Sequence, residues 1–242
     1  MASMFEFLSD LPLFQGASHN KLAEVVGNTK LHFLKYPAEE IIIRAGDSCQ
    51  HLAIVIQGSV RATTVNETGR FSVSQTLVAP AVLAPDFLFG RVTTYPYTVM
   101  ALDNVSIIEI AKNDYLNILE TDRVFLFNYL NTLSANAQKS VEGILALTTG
   151  DVDERIAFWI GALTQPGSTD IRLSCRTRDL CSLFGTPRAV FNSALQSMRE
   201  RGLIDFSSNE LMVVDRGALM QLLMTNHETQ PPFPAARPDI IA

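Results

Sequence analysis

The apolar positions of this chain switch from a helical period to a strand period and back, and the switches divide it. Through residues 4–30 the spacing is helical: Leu22, Val25 and Val26 form one stripe, and Ser18 stands before them as an N-cap. From Leu31 to about Ile110, short runs rich in Ile, Val, Thr and Phe take over: LHFLKY, EEIIIRAG, HLAIVIQG, SVRATTV, RFSVSQTLV, YTVMAL and VSIIEI. Turn signals separate them at Pro37-Ala38, Gly46-Asp47, Gly58, Asn66–Gly69 and Asp103-Asn104. Many short strands at this spacing predict a compact antiparallel sandwich or barrel. Ala79–Thr94 reads as a loop with Pro80 and Pro85, interrupted by the apolar run Phe87-Leu88-Phe89.

The helical period returns from about Lys112 to Thr149. Asn113 or Asp114 suits the cap of an opening turn, and Thr121-Asp122 the start of the main helix. Phe125/Leu126, Tyr129/Leu130, Leu133, Ala137, Val141 and Ile144/Leu145 then recur at steps of three and four. A helix this long has two apolar faces, one for the β unit and one for a second copy of the chain. Leu126, Leu130, Leu133, Ala137, Val141 and Ile144 are the expected homodimer stripe. The alternative is a helix packed on its own β unit alone.

Asp151–Leu163 is a further helix, with Ile156, Trp159, Ile160 and Leu163 on one side, followed by a turn at Gln165–Ser168 and a short strand, IRLS. Thr177–Ile204 reads as two helices joined by a tight turn. Leu180, Leu183 and Phe184 give the first an apolar face, Gly185 sits at the turn, Thr186 suits an N-cap and Pro187 the first helical position. The second helix is expected to bury Val190, Ala194, Leu195 and Met198, leaving Arg188, Asn192, Ser193, Gln196 and Arg199 outside. That is the pattern of a helix-turn-helix. LIDF and LMVVD flank Ser207–Glu210 as a small hairpin, the wing, and Gly217–Met224 closes the unit as a last turn or two of helix. The tail is rich in proline.

Composition narrows the class. Hydrophobic residues make up 47% and charged residues 18% of 242, as in a folded protein. No apolar run approaches the length that spans a bilayer, and the N-terminus lacks the pattern of a signal peptide. Cys49, Cys175 and Cys181 include no CxxC pair, which points to buried thiols in a reducing compartment, the cytoplasm. The net charge is −6, yet the window Arg172–Arg201 carries +4 and the remainder −10. A basic module on an acidic body suits focused contact with DNA phosphates.

The order helix, β-barrel, long helix, winged helix-turn-helix resembles the Crp/Fnr family of bacterial transcription regulators, over roughly Leu11 to Leu223. The matching segments are Leu11–Phe14, the Gly46-Asp47 turn, Gly58 in AIVIQGSV, Phe89-Gly90, DVDERIAFW, GTPRAV and ERGLI, in family order. The resemblance implies an α+β fold: an antiparallel jelly-roll β-barrel of the cyclic-nucleotide-binding kind over 1–120, a dimerisation helix over 121–150, a winged helix-turn-helix over 151–228 and a tail over 229–242. It implies double-stranded DNA as partner, a homodimer on a palindromic operator read by helix 187–201, an unidentified small-molecule effector, and RNA polymerase as a further partner.

Within that frame, Arg188 stands at the family's recognition arginine, suited to guanine O6 and N7. Ala189 replaces the family's glutamate and Ser193 the arginine one turn on, so a different half-site is expected. Asn192, Ser193 and Gln196 remain for base edges, and Arg176, Arg178 and Thr186 for phosphates. In cyclic-nucleotide binders Phe-Gly precedes a glutamate for the ribose, and an Arg-Ser pair holds the phosphate. Here Arg91 follows Phe89-Gly90, and Tyr95-Pro96 stands in the Arg-Ser place. An effector pocket at Phe89, Gly90, Arg91 and Tyr97 is expected, without the family's phosphate cation and without a response to cyclic AMP. Supply of that charge by Arg91 from another direction is the alternative.

No cofactor or metal is expected. Three unclustered cysteines cannot hold an iron–sulfur cluster, and His19, His32, His51 and His227 stand singly. A cupin-like binding protein or enzyme is the rival class, but the strands offer only His32 and His51, and no catalytic motif appears.

Overall fold

The computed structural model describes residues 8, 9, 11–146 and 150–224. The expected helical start before residue 8, the expected end of the long helix at 147–149, the tail and His227 lie outside them.

Proline and glycine break the helix expected over 4–30. Pro12–Phe14 forms a 3-10 turn, the chain reverses at Gly16, and α1 spans only His19–Asn28, with Ser18 Oγ accepting the Lys21 N–H at 3.4 Å. Eight strands follow: β1 (Leu31–Tyr36), β2 (Ile41–Ile43), β3 (His51–Gln57), β4 (Ser59–Val65), β5 (Ser72–Val78), β6 (Ala81–Leu83), β7 (Thr98–Ala101) and β8 (Val105–Ala111). They form two antiparallel sheets, β1-β8-β3-β6 and one containing β5-β4-β7-β2. Leu52, Ile54 and Ile108 from one face of the first sheet belong to the same buried core as Val60, Leu77 and Val99 of the second. The sheets stay open, so the expected barrel is a sandwich. Ala79–Thr94 is not all loop: β6 pairs with β3, and Pro85–Phe87 makes a 3-10 turn. Three apolar residues are too short a run to register as a strand.

Helix α2 (Lys112–Thr121) meets α3 (Arg123–Ala146) at Asp122, whose extended backbone breaks the helix and whose Oδ1 accepts the Val124 N–H at 2.8 Å. Neither Asn113 nor Asp114 caps α2; the cap position is Ala111, with no side-chain bond. The two faces of α3 separate as the spacing predicts. Phe125 and Tyr129 are buried in the sandwich core, while Leu126, Leu130, Val141 and Ile144 are exposed.

A second core forms around α4 (Val152–Leu163), which opens with a capping box between Asp151 and Glu154. It also contains β9 (Thr169–Ser174), α5 (Thr177–Leu183), α6 (Arg188–Glu200), the hairpin β10 (Ile204–Phe206) and β11 (Glu210–Val213), and α7 (Arg216–Met224). Strand β9 pairs on one side with β11 and on the other with β5, so the C-terminal sheet continues the N-terminal one through Val73↔Leu173 and Thr76↔Thr169. Arg61 bonds Asp170 across this seam at 2.8 Å, Gln75 Oε1 accepts the Gln165 N–H at 2.7 Å, and the Phe71 ring lies 5.5 Å from Trp159.

Candidate nucleic-acid interface

The turn between α5 and α6 follows from Gly185, whose φ of +58° carries the chain through a conformation costly for other residues. Phe184, at the end of α5, stacks on Phe191 of α6 with ring centroids 5.6 Å apart and meets Trp159 edge-on at 5.5 Å. This aromatic slot sets the roll of α6. Phe191, Leu195 and Met198 are buried at steps of four and three, whereas Val190 is 50% exposed. The expected burial of Val190 is therefore corrected: the large ring one residue on fills the slot, and Ala194 is only partly buried. Thr186 does not cap α6 either. Pro187 holds the cap position, and the Thr186 hydroxyl donates to the Phe184 carbonyl at 3.1 Å.

With that roll fixed, Arg188, Asn192, Ser193 and Gln196 stand on the exposed face of α6. They line a groove with Arg176 and Arg178 at the start of α5 and with the wing tip, Ser207, Ser208 and Asn209. The wing residues and Thr177 are members of this groove that sequence reasoning did not select; the wing's signal was the turn between LIDF and LMVVD.

The arginines divide by what holds them. Arg176 and Arg178 bond opposite oxygens of Asp179 at 3.0 and 3.4 Å, and this pairing, Arg176 first, keeps the Asp179 carboxyl below the usual carboxylate range. Arg172 bonds Asp170, and Arg201 reaches back to Asp153 of α4 at 3.2 Å. Arg199, expected outside, lies over the Phe206 ring at 4.0 Å and donates to the Phe206 carbonyl, fastening α6 to the wing. Gln196 donates to Glu200 along the helix at 3.0 Å. Arg188 has no hydrogen bond or ion pair with the described residues. Its side chain is exposed on the groove.

The four expected effector residues do not converge. Tyr97 is buried, its hydroxyl accepting the Ala84 N–H at 2.7 Å, and it lines a cavity of about 620 Å³ between the sandwich, α3 and the end of α4. Phe89 packs edge-on against Tyr129 at 5.7 Å with the Lys112 ammonium over its ring, Gly90 turns with φ +109°, and Arg91 is exposed; none of the three lines that cavity. Tyr95, in the Arg-Ser place, is buried and donates to the His51 carbonyl at 3.2 Å.

An α6 presented beside a wing, on a unit joined to a sandwich and a long helix, defines a winged helix-turn-helix DNA-binding protein with an attached sensor-like domain. Comparison with known proteins agrees domain by domain. Residues 33–122 match the model of the cyclic nucleotide-binding domain, and residues 154–222 that of the Crp-like helix-turn-helix domain. The chain is 22% identical to the cAMP-activated global transcriptional regulator CRP of Haemophilus influenzae, over 76% of this chain and 85% of that protein. It is 23% identical to the anaerobic regulatory protein of Aggregatibacter actinomycetemcomitans, over 77% of this chain and 74% of that one. The crystal structure of Thermus thermophilus catabolite activator protein shares the fold, with a TM-score of 0.50 and 19% identity over 89% of this chain and 99% of its own. The chain belongs to the Crp/Fnr family of transcriptional regulators.

Proposed function

We propose that this regulator works as a homodimer on a palindromic operator, with Arg188, Asn192, Ser193 and Gln196 of α6 reading base edges while Arg176 and Arg178 face phosphates; Thr186, whose hydroxyl and N–H both donate within the protein, takes no part. The observation that carries the reading is the unpartnered Arg188 on the exposed face of α6, set in a groove closed by the wing. Asp179 already pairs Arg176 and Arg178, so phosphates compete with an existing carboxylate there. The dimer is carried by Leu126, Leu130, Ala137, Val141 and Ile144, which α3 leaves exposed along one face. Leu133 sits at its edge, partly buried against the sandwich.

The input is a small molecule other than cyclic AMP. Arg91 points to solvent, and Tyr95 closes the place where the family keeps its phosphate cation, so a buried cyclic phosphate has no partner there. The protein acts by binding rather than catalysis, in the cytoplasm, with RNA polymerase as a further partner. In support, the relatives above are named as regulators, and among the described residues no helix is long and apolar enough to cross a membrane.

Selection of bound fragments from genomic DNA tests this reading, with cyclic AMP added to half the samples. A two-fold symmetric site selected equally in both halves is expected. Fragments without a shared sequence, or selection only with cyclic AMP, contradict it.

A further inference from the structure

The cavity of about 620 Å³ differs in its make-up from the pocket expected around Phe89. Four parts of the molecule build it: the N-terminal 3-10 turn, through Leu11–Leu13; the sandwich, through Leu77, Val82 and Asp86; α3, through Asn136 and Lys139; and the end of α4 with the turn after it, Leu163–Gly167. Its walls mix aliphatic and proline surface with a few polar groups, and its size suits an organic molecule. Among the described residues one cation, Lys139, lines it. The Lys139 ammonium donates to the Thr164 carbonyl and so already ties α3 to the DNA-binding unit. Burial, and then the nearby Arg216 of α7, lower the Lys139 pKa more than the Asp86 carboxyl raises it, while burial raises the pKa of Asp86 more than Lys139 lowers it. An ammonium under these conditions gains from an anion beside it. A dianion would meet one cation and the Asp86 carboxylate, so a single charge fits best.

We propose that this cavity binds an organic monocarboxylate, its head on Lys139 and its apolar body along Leu77, Val82 and Pro85. The inference rests on the reading of the chain as a regulator with a small-molecule input, and it names the chemistry of that input. A ligand there touches the sandwich, α3 and the α4–β9 turn at once, next to the β5–β9 seam. Its binding energy therefore acts directly on how the DNA-binding unit is held.

Titration calorimetry of the full chain without DNA tests it, with octanoate as probe and 1-octanol as its uncharged counterpart. Octanoate is expected to bind saturably and at least tenfold tighter than octanol. Lys139→Met is expected to abolish that preference while octanol still binds, and Asp86→Asn to tighten octanoate severalfold. Absence of saturable octanoate binding, equal affinity for the two probes, or a preference that survives Lys139→Met overturns the proposal. If Lys139→Met loses octanol too, its fold is damaged and Asp86→Asn decides: tightening supports the site, and no change overturns it. DNA binding is assayed separately. Octanoate failure with operator binding intact removes this inference alone, whereas octanoate binding by a protein that selects no DNA removes the regulator reading.

Discussion

At the scale of single residues, the positive charge of the C-terminal unit is largely committed before DNA arrives. Within the window Arg172–Arg201, Arg172, Arg176, Arg178, Arg199 and Arg201 each bond an acidic side chain or a carbonyl, which leaves Arg188 as the arginine of that window without such a bond to the described residues. Arg188→Ala is expected to cost about 1–3 kcal/mol of operator binding and to relax preference at one base position; repeating the fragment selection with the variant checks both. Arg199→Ala should act differently, weakening all sequences alike, because Arg199 holds the wing and not a base. A third residue-scale test concerns folding. Gly58 links β3 to β4 with φ +86°, and a Cβ there would stand 2.7 Å from the Asn104 carbonyl oxygen. Gly58→Ala should lower stability by more than about 1 kcal/mol, read as a lower urea midpoint.

At the scale of elements, α3 and the β5–β9 seam do the organising. If the chain dimerises through α3 as proposed, glutamate at Val141 or Ile144 places charge on the exposed stripe and should give monomers by sedimentation where the unaltered protein gives dimers. Leu133→Ala should instead lower the thermal midpoint, since Leu133 packs on the sandwich core. The two faces of α3 were legible in the sequence because a 24-residue helix repeats its period many times. The seam was not. IRLS reads as a strand, but nothing local says that its edge pairs with residues a hundred positions earlier. The Val190 expectation failed for a related reason: spacing gives a helix its stripe, but the aromatic slot made by Phe184 and Trp159 sets which residue fills it. Of the expected site, α6 was readable from its amphipathic spacing. The internal pairing of the arginines, and the junction of three elements around Lys139, depend on tertiary placement.

At the scale of the whole molecule, an acidic body carries a basic unit whose recognition face is open, while an unbroken run of strands fixes that unit to the sandwich. Such an arrangement should bind DNA with affinity that falls steeply with salt. Arg61→Ala removes the ion pair across the seam. That pair is about a third exposed and worth at most about 1 kcal/mol. Its loss should leave overall stability nearly unchanged but shift the emission of Trp159, the single tryptophan, which packs on Phe71 at the same seam.

The central claim is that two copies of α6, held by paired α3 helices, read a two-fold symmetric site. Footprinting of the purified protein on its selected operator addresses it directly. Two protected major-groove patches related by two-fold symmetry are predicted, their centres about 34–36 Å apart, both weakened by Arg188→Ala. A single protected patch, or protection that ignores sequence and survives Arg188→Ala, would contradict it.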